Sequence, residues 1–249
     1  MRSNRPEWYN SHMKIDGSVC VVTGASEGIG RAIAEALATR GGRVAICSRT
    51  AQRIKAVAHE LRGKEFNVEG FAADVSREAD VAKFRDFVHA EYGPADVLVN
   101  NAGLGHFAPV EKLTVEQFDE TMAVNVRGIF LMTRAFLPDM RKKKSGDIVN
   151  IASLAGKNGF VDGTAYGASK HAVLGFSKSL MLEVRKDGIR VIAICPGSVV
   201  TPFFEKAGQE LRNPDRMLTP EDVAQAVVAT LELPGRGMIS ELDIRPTNP

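Results

Sequence analysis

The chain has 249 residues, 44% apolar and 25% charged, which is ordinary for a soluble globular protein and enough to bury a substantial core. Its 32 basic and 30 acidic residues leave a formal charge of +2, which argues against a dedicated nucleic-acid binder. No stretch approaches the ~18 apolar residues of a membrane span, and the opening MRSNRPEWYNSHMKIDGS lacks the apolar region of a secretory signal.

Residues 1–12 are polar and without pattern. Met13 reads either as a start preceded by cloning residues, or 1–14 as a native arm carrying Trp8. Residues 19–23 are a short β-branched run followed by TGASEGIG. A helical pattern in Ile29, Ile33, Ala36 and Leu37 then stops at Gly41-Gly42. A second apolar run, 44–47, leads through Ser48-Arg49-Thr50 into a helix ending near Leu61. A third, 68–73, ends at Asp74-Val75, where Ser76 is expected to cap a helix reaching Tyr92. Gly93-Pro94 breaks that helix before a fourth strand, 97–100, that ends in Asn100-Asn101-Ala102-Gly103. A long helix is predicted from Thr114 to about Met140, with Thr114 and Gln117 as a capping box. A fifth strand, 147–152, precedes a helix over 163–185. A sixth strand, 189–195, ends at Pro196-Gly197. An irregular polar segment, a helix from Pro220 to about Leu233 and a last strand at 238–244 complete the chain.

Short Val/Ile-rich runs alternating with longer helical patterns predict an α/β fold, a doubly wound parallel sheet with helices on both faces. No linker or repeat divides 15–249, which predicts one domain. Cys20, Cys47 and Cys195 lie far apart within apolar runs and read as small buried hydrophobes of a reducing, cytoplasmic compartment, not as a disulfide or metal framework. Arg141-Lys142-Lys143-Lys144 sits at a helix exit, where positive charge complements the helix dipole.

In such sheets ligands bind at the C-terminal ends of strands, and the glycine-rich and polar elements follow the strands. TGASEGIG lies between strand and helix, the context of a phosphate-binding turn. Gly24 permits the turn, Gly28 the close approach of a pyrophosphate and Gly30 the packing of helix on sheet, with Ser26, Glu27 and Ile29 completing the wall. No Gly-Lys-Ser/Thr follows, so it is not a Walker loop. At the end of the second strand an acid would accept from a free ribose 2′-hydroxyl, whereas an arginine suits a 2′-phosphate. Here Ser48 and Arg49 stand, favouring NADP(H) over NAD(H); Glu27 is a mild counterindication.

Ser153, Tyr166 and Lys170 supply a hydroxyl, a phenol and an ammonium. Tyr166 and Lys170, four apart, share a helix face, and a cation there is expected to lower the phenol from ~10 toward neutral. Alone, Y-x-x-x-K is also what an ordinary helix surface presents.

With T-G-x-x-x-G-I-G at 23–30, N-N-A-G at 100–103, Ser153 thirteen residues before Y-x-x-x-K, and P-G-x-x-x-T at 196–201, the chain resembles the short-chain dehydrogenase/reductase family. The resemblance spans about 15–201. It implies a seven-stranded Rossmann sheet and hydride transfer between a nicotinamide and a carbonyl or alcohol carbon. It further implies that Tyr166 exchanges the hydroxyl proton, that Lys170 depresses its pKa and binds ribose, and that Ser153 holds the substrate oxygen. Asn125 would complete the set by holding a relay water on its main chain. Asp74 and Val75 would meet the adenine, and Asn101, Ala102 and Gly103 would wall the cleft. Pro196, Gly197, Val199 and Thr201 would position the nicotinamide. From the residues alone, Asp74 also reads as a turn acid, Asn125 as a satisfied core polar residue and His106 as a packing residue. Segments 104–107 and 154–162 would form the pocket rim and 202–216 a lid bearing Phe203 and Phe204. The chain departs from the family in closing as SELDIRPTNP instead of a glycine-rich tail.

The leading expectation is an NADP(H)-dependent carbonyl reductase, acting on a 3-oxoacyl thioester or small ketone, without metal, as a homo-oligomer (dimer or tetramer). The alternatives are an NAD-linked polyol or hydroxysteroid dehydrogenase, or a cofactor-binding sensor without turnover.

Overall fold

Among the described residues the short apolar runs become seven parallel strands in the order β3-β2-β1-β4-β5-β6-β7. They are β1 Val19–Thr23, β2 Arg43–Ser48, β3 Val68–Ala72, β4 Val97–Asn100, β5 Gly146–Ile151, β6 Ile189–Pro196 and β7 Glu241–Ile244. The computed structural model describes residues 15–210 and 213–248; the expected arm at 1–14, with Trp8 and Met13, lies outside them. The last strand is shorter than the predicted 238–244. The register is continuous, Val21 opposite Ala45 on one side and Leu98 on the other.

Strand periodicity sorts the core into two layers. Val97 and Val99 of β4 join one cluster with helices α1 (Gly28–Thr39), α2 (Ala51–Gly63) and α8 (Pro220–Leu231). Leu98 joins the other, with α3 (Glu78–Glu91), α5 (Gly128–Lys143) and the end of α6 (Thr164–Val184). Phe84, Phe136, Ile33 and Leu37 are fully buried there. Side chains of this size each contribute on the order of 2 kcal/mol by leaving water. The three cysteines are buried and free, as their apolar surroundings imply.

The capping box at Thr114 forms, with Gln117 N–H donating to Thr114 Oγ1 at 3.2 Å and Thr114 N–H to Gln117 Oε1 at 3.0 Å. It starts α4 (Val115–Met122), but the predicted single long helix is not uniform. A π-helical segment, Ala123–Arg127, links α4 to α5, and α5 continues past Met140 through an internal Pro138. The expected cap at Ser76 is also displaced: Arg77 is the N-cap of α3, without a side-chain cap bond. Ser76 instead donates through its N–H and hydroxyl to Asp74 Oδ1, at 2.9 and 2.7 Å. The basic run at the end of α5 is ion-paired, Lys144 and Arg141 to Asp187 and Lys143 to Asp96. The segment after β6 carries a short helix, α7 (Phe203–Lys206), and α8 opens on a second capping box of Thr219 and Asp222.

At the N-terminal edge of the sheet, opposite the strand ends that carry the glycine turn, Asp147 and Arg190 form a buried pair. Arg190 Nη2 donates to Asp147 Oδ2 at 2.9 Å and to the Leu231 carbonyl at 2.8 Å, tying β5 and β6 to the end of α8.

Candidate active site

Because β1 leads outward to β2 and β3 while β4 starts the other half, the strand order reverses between β1 and β4, with every strand still parallel. A cleft of about 1280 Å³ opens there along the C-terminal edge. One small ligand typically fills ~300–1,000 Å³, so an extended cofactor and a second molecule both have room.

The glycine turn at one wall is built as its sequence requires. Gly24 has φ +66°, and a Cβ on it would lie 2.7 Å from Ala102 Cα. Gly28 has φ +55° and faces Thr201. Gly30 is buried behind the wall rather than on it, where a Cβ would stand 2.5 Å from the Gly24 carbonyl. Asn101 does more than wall the cleft: its Nδ2 donates to the carbonyls of Thr23 and Gly24 at 3.0 and 3.2 Å. Thr23 Oγ1 in turn accepts from the N–H of Asn101 and of Ala102, both at 3.0 Å. The two loops that flank the switch point are thus locked together. Ser26, Glu27, Ile29 and Gly103 line the same cleft, as do Asp74 and Val75. Asp74 holds Ser76 with its carboxylate, so it serves as a turn acid as well as a lining residue.

At the end of β2, Ser48 Oγ is buried without a hydrogen-bond partner among the described residues. Arg49 is exposed and reaches across to Glu120 Oε1 at 3.3 Å, while His106 Nε2 lies 2.9 Å from Glu120 Oε2. The bond to His106, then that to Arg49, holds the Glu120 carboxyl below its usual range. Glu27 pairs with Lys206 of α7 and stands 3.8 Å from Arg53. Glu120 had no role in the sequence reading, because its partners are 71 and 14 residues away. An orphan buried hydroxyl beside an exposed guanidinium, next to a backbone cradle only glycines permit, fits an adenine dinucleotide with an extra phosphate at its ribose end.

The other half of the site comes from β5 and α6. Ser153 caps a short 3₁₀ turn after β5, its Oγ accepting from Ala155 N–H at 3.1 Å. Tyr166 lies in the first turn of α6 and is hydrogen-bonded by Ser153. Lys170, one turn on, is buried; its Nζ donates to the Ile151 carbonyl at 2.9 Å and sits 5.6 Å from the Tyr166 ring centre. A buried chain of polar bonds fixes these elements: Asn100 Nδ2 donates to Asn150 Oδ1, and Asn150 Nδ2 to Ser177 Oγ on α6, both at 2.9 Å.

The expected acidification of the phenol by the ammonium is not what the structure gives. Burial pushes Tyr166 up to about 12, with only the Ser153 hydrogen bond pulling back. Burial pushes Lys170 down, from 10.5 to about 8. Desolvation penalises whichever form is charged, and it is the largest influence on both groups. Lys170 is therefore the group that titrates nearest neutrality. For folding, its charge is a penalty fully present below about pH 8 that fades as the pH rises toward 10.5.

Asn125 lies in the π-helical segment, behind the cleft wall. Its Oδ1 accepts from Leu104 N–H at 2.9 Å, and its Nδ2 donates to the Leu104 carbonyl and to Ser169 Oγ at 2.8 and 2.9 Å. Segments of this winding recur at functional sites; here it lets one side chain clamp the loop after β4 to α6. Pro196, Gly197, Val199 and Thr201 line the cleft beyond β6. Val199 does so from a buried position, bridged to Leu218.

The family model described as short chain dehydrogenase matches residues 18–212. The chain belongs to the short-chain dehydrogenase family. This short-chain dehydrogenase is 44% identical over 193 residues to the granaticin polyketide synthase putative ketoacyl reductase 1 of Streptomyces violaceoruber, covering 76% of this chain and 70% of that one. It is 40% identical over 223 residues to the D-threitol dehydrogenase of Mycolicibacterium smegmatis, covering 86% of each. Among solved structures, it superposes on the alcohol dehydrogenase of Thermococcus sibiricus complexed with 5-hydroxy-NADP at a TM-score of 0.85, with 33% identity, over 92% of this chain and 97% of that one. A variant of actinorhodin polyketide ketoreductase with NADPH gives 0.86 at 32% identity, over 95% and 98%. The family chemistry is redox exchange between carbonyl and alcohol groups. No helix among the described residues of this short-chain dehydrogenase is long and apolar enough to cross a membrane.

Proposed function

We propose that the chain is an NADP(H)-dependent reductase of ketones, or in reverse a dehydrogenase of secondary alcohols. The observation that carries this reading is the Ser153–Tyr166 pair beside buried Lys170, in the same cleft as a glycine cradle whose ribose end offers Arg49 and an unpartnered Ser48 hydroxyl. NADP-bound structural neighbours support the choice of cofactor. The cofactor supplies the hydride; the rest is done by the chain.

Gly24, Gly28 and the start of α1 would hold the pyrophosphate, Asp74 and Val75 the adenine, and Pro196 through Thr201 the nicotinamide. Ala155 N–H occupies one lone pair of Ser153 Oγ, and the serine's one hydroxyl hydrogen, directed at Tyr166 in the free chain, would turn to the substrate oxygen as charge develops there. Tyr166, whose proton is held more tightly because of its burial, gives that oxygen its proton. Lys170 replenishes the phenol, directly or through a water held by the main chain of Asn125, which the Leu104 and Ser169 bonds keep in place. Reduction should therefore need Lys170 charged. The pH profile of kcat/KM for ketone reduction is expected to fall above about pH 8, where Lys170 loses its proton. A flat profile from pH 6 to 10 would remove Lys170 from that role.

The test of the function is NADPH oxidation, followed by absorbance, with a panel of ketones. Absence of turnover with every carbonyl and, in reverse, every alcohol would overturn it and leave the cofactor-binding sensor. A second reading, an NAD-linked polyol dehydrogenase, is favoured by Glu27 and Glu120 at the ribose end and by the D-threitol dehydrogenase relative. Arg49→Ala separates the two. Loss of a charge-assisted bond to phosphate is worth roughly 10- to 100-fold in affinity, so the variant is expected to lose that much for NADPH while NADH binding barely changes. If both dissociation constants move alike, Arg49 does not select the cofactor. Homo-oligomerisation is part of the proposal, supported by exposed Phe118, Phe130 and Leu182, and a cytoplasmic setting by the free buried cysteines.

A further inference from the structure

We infer that the substrate is a neutral ketone bearing an aryl or other flat ring, gripped by an aromatic clamp of Phe107, Phe160 and Phe203 around Tyr166. The inference rests on the reductase reading above and names its substrate class. The three rings come from different strand ends: Phe107 after β4, Phe160 after β5, Phe203 from α7 after β6. They nevertheless converge on one phenol, with ring centres 5.5, 6.4 and 5.4 Å from that of Tyr166. They also meet each other, Phe107 lying 5.7 Å from Phe160 and 6.0 Å from Phe203, both near-perpendicular.

The backbone makes room for the arrangement at two glycines. A Cβ on Gly105 would lie within 3.0 Å of both the Phe107 and Phe203 rings and 3.1 Å from Tyr166. A Cβ on Gly163 would strike the ring of Phe160. The rings are thus seated on bare backbone, which fixes their positions relative to the Tyr166 ring.

The clamp is open to its ligand. Phe160 is 47% exposed and its neighbour Val161 87%, an apolar lip on a cleft that already holds the proton donor. Of the charged groups lining the cleft, His106 is engaged with Glu120 and Lys206 with Glu27, while Asp162 and Arg216 enter no ion pair among the described residues. An acyl chain on a phosphate-bearing carrier would call on several cations, of which the cleft offers Arg216. A flat neutral ring would instead meet ring edges and faces in the offset and edge-on geometries that aromatic pairs prefer.

The test compares kcat/KM for acetophenone, for methyl hexyl ketone of the same carbon count and for an acetoacetyl thioester, using full-length enzyme and NADPH. Acetophenone is expected to exceed methyl hexyl ketone by about tenfold or more, and the thioester by a larger margin. Phe160→Leu and Phe203→Leu should each move the aryl-to-alkyl ratio toward parity, with NADPH affinity measured to show that the variants are folded. Turnover without an aryl preference, or a ratio that neither substitution moves, sinks the clamp and leaves the reductase reading standing. No turnover of any of the three, or of any other carbonyl, overturns that reading and the clamp with it.

Discussion

Tyr166→Phe should lower kcat for ketone reduction by roughly a thousandfold, about 4 kcal/mol at the transition state, with NADPH binding changed by less than about twofold. The substitution keeps the ring, so the contacts to Phe107, Phe160 and Phe203 survive and the pocket keeps its shape. Only the O–H is lost. No other acid among the described residues is placed to replace it, since Lys170 donates to the Ile151 carbonyl with its Nζ over the Tyr166 ring and His106 is turned to Glu120. Stopped-flow or steady-state absorbance gives kcat, and cofactor fluorescence gives the dissociation constant. A near-normal kcat would take the proton-donor role away from Tyr166; a parallel loss of cofactor affinity would make the phenol a binding residue instead.

The largest expected effect on stability lies at the other end of the sheet. Asp147→Ala leaves the Arg190 guanidinium buried with only carbonyl partners, at Leu231, Leu233 and Gly237. Removing one member of such a pair typically costs about 3–5 kcal/mol. For a chain of this length that is a fall in Tm on the order of 10 °C. Replacing both partners by apolar residues, Asp147→Leu with Arg190→Met, should recover much of the loss, because no charge is then left stranded. Thermal unfolding of the two variants checks this; equal losses would mean the pair acts through its geometry rather than its charge. Because the pair lies across the sheet from Ser153 and Tyr166, kcat of the folded fraction should stay near that of the parent.

Much of this architecture is legible before any coordinates. Alternation of apolar runs with helical patterns makes the central strands plain, since a strand buried on both faces reads as a near-continuous Val/Ile run; the edge strands β3 and β7, only partly buried, carry a weaker signal, and the last is shorter than its pattern. The glycine turn is equally readable, because the turn and close packing at Gly24 and Gly30 tolerate little else. What escapes is whatever depends on distance in sequence or on solvent. Glu120 is one acid among several on α4 until the fold sets it between Arg49 and His106. Spacing put Tyr166 and Lys170 on one face correctly, yet misjudged the phenol, since spacing carries no information on how dry that face is. The interruption at Asn125 is likewise invisible: AVNVR holds no glycine or proline to mark it, and the bonds to Leu104 and Ser169 that accompany the winding join residues distant in sequence.

That winding makes the helix intolerant of tidying. Excising one residue between Ala123 and Arg127 would restore regular turns and, judged as an isolated peptide, would improve the helix. Each residue of an α-helix advances the face by about 100°, and the wider turn of this segment absorbs one extra residue, so the excision would leave Leu131, Phe136 and Met140 facing the sheet. The loss would fall on Asn125, at the centre of the segment, which would let go of the loop it clamps. Length at this point is as constrained as identity, and shortening the chain by one residue here would do more harm than most substitutions along the same helix.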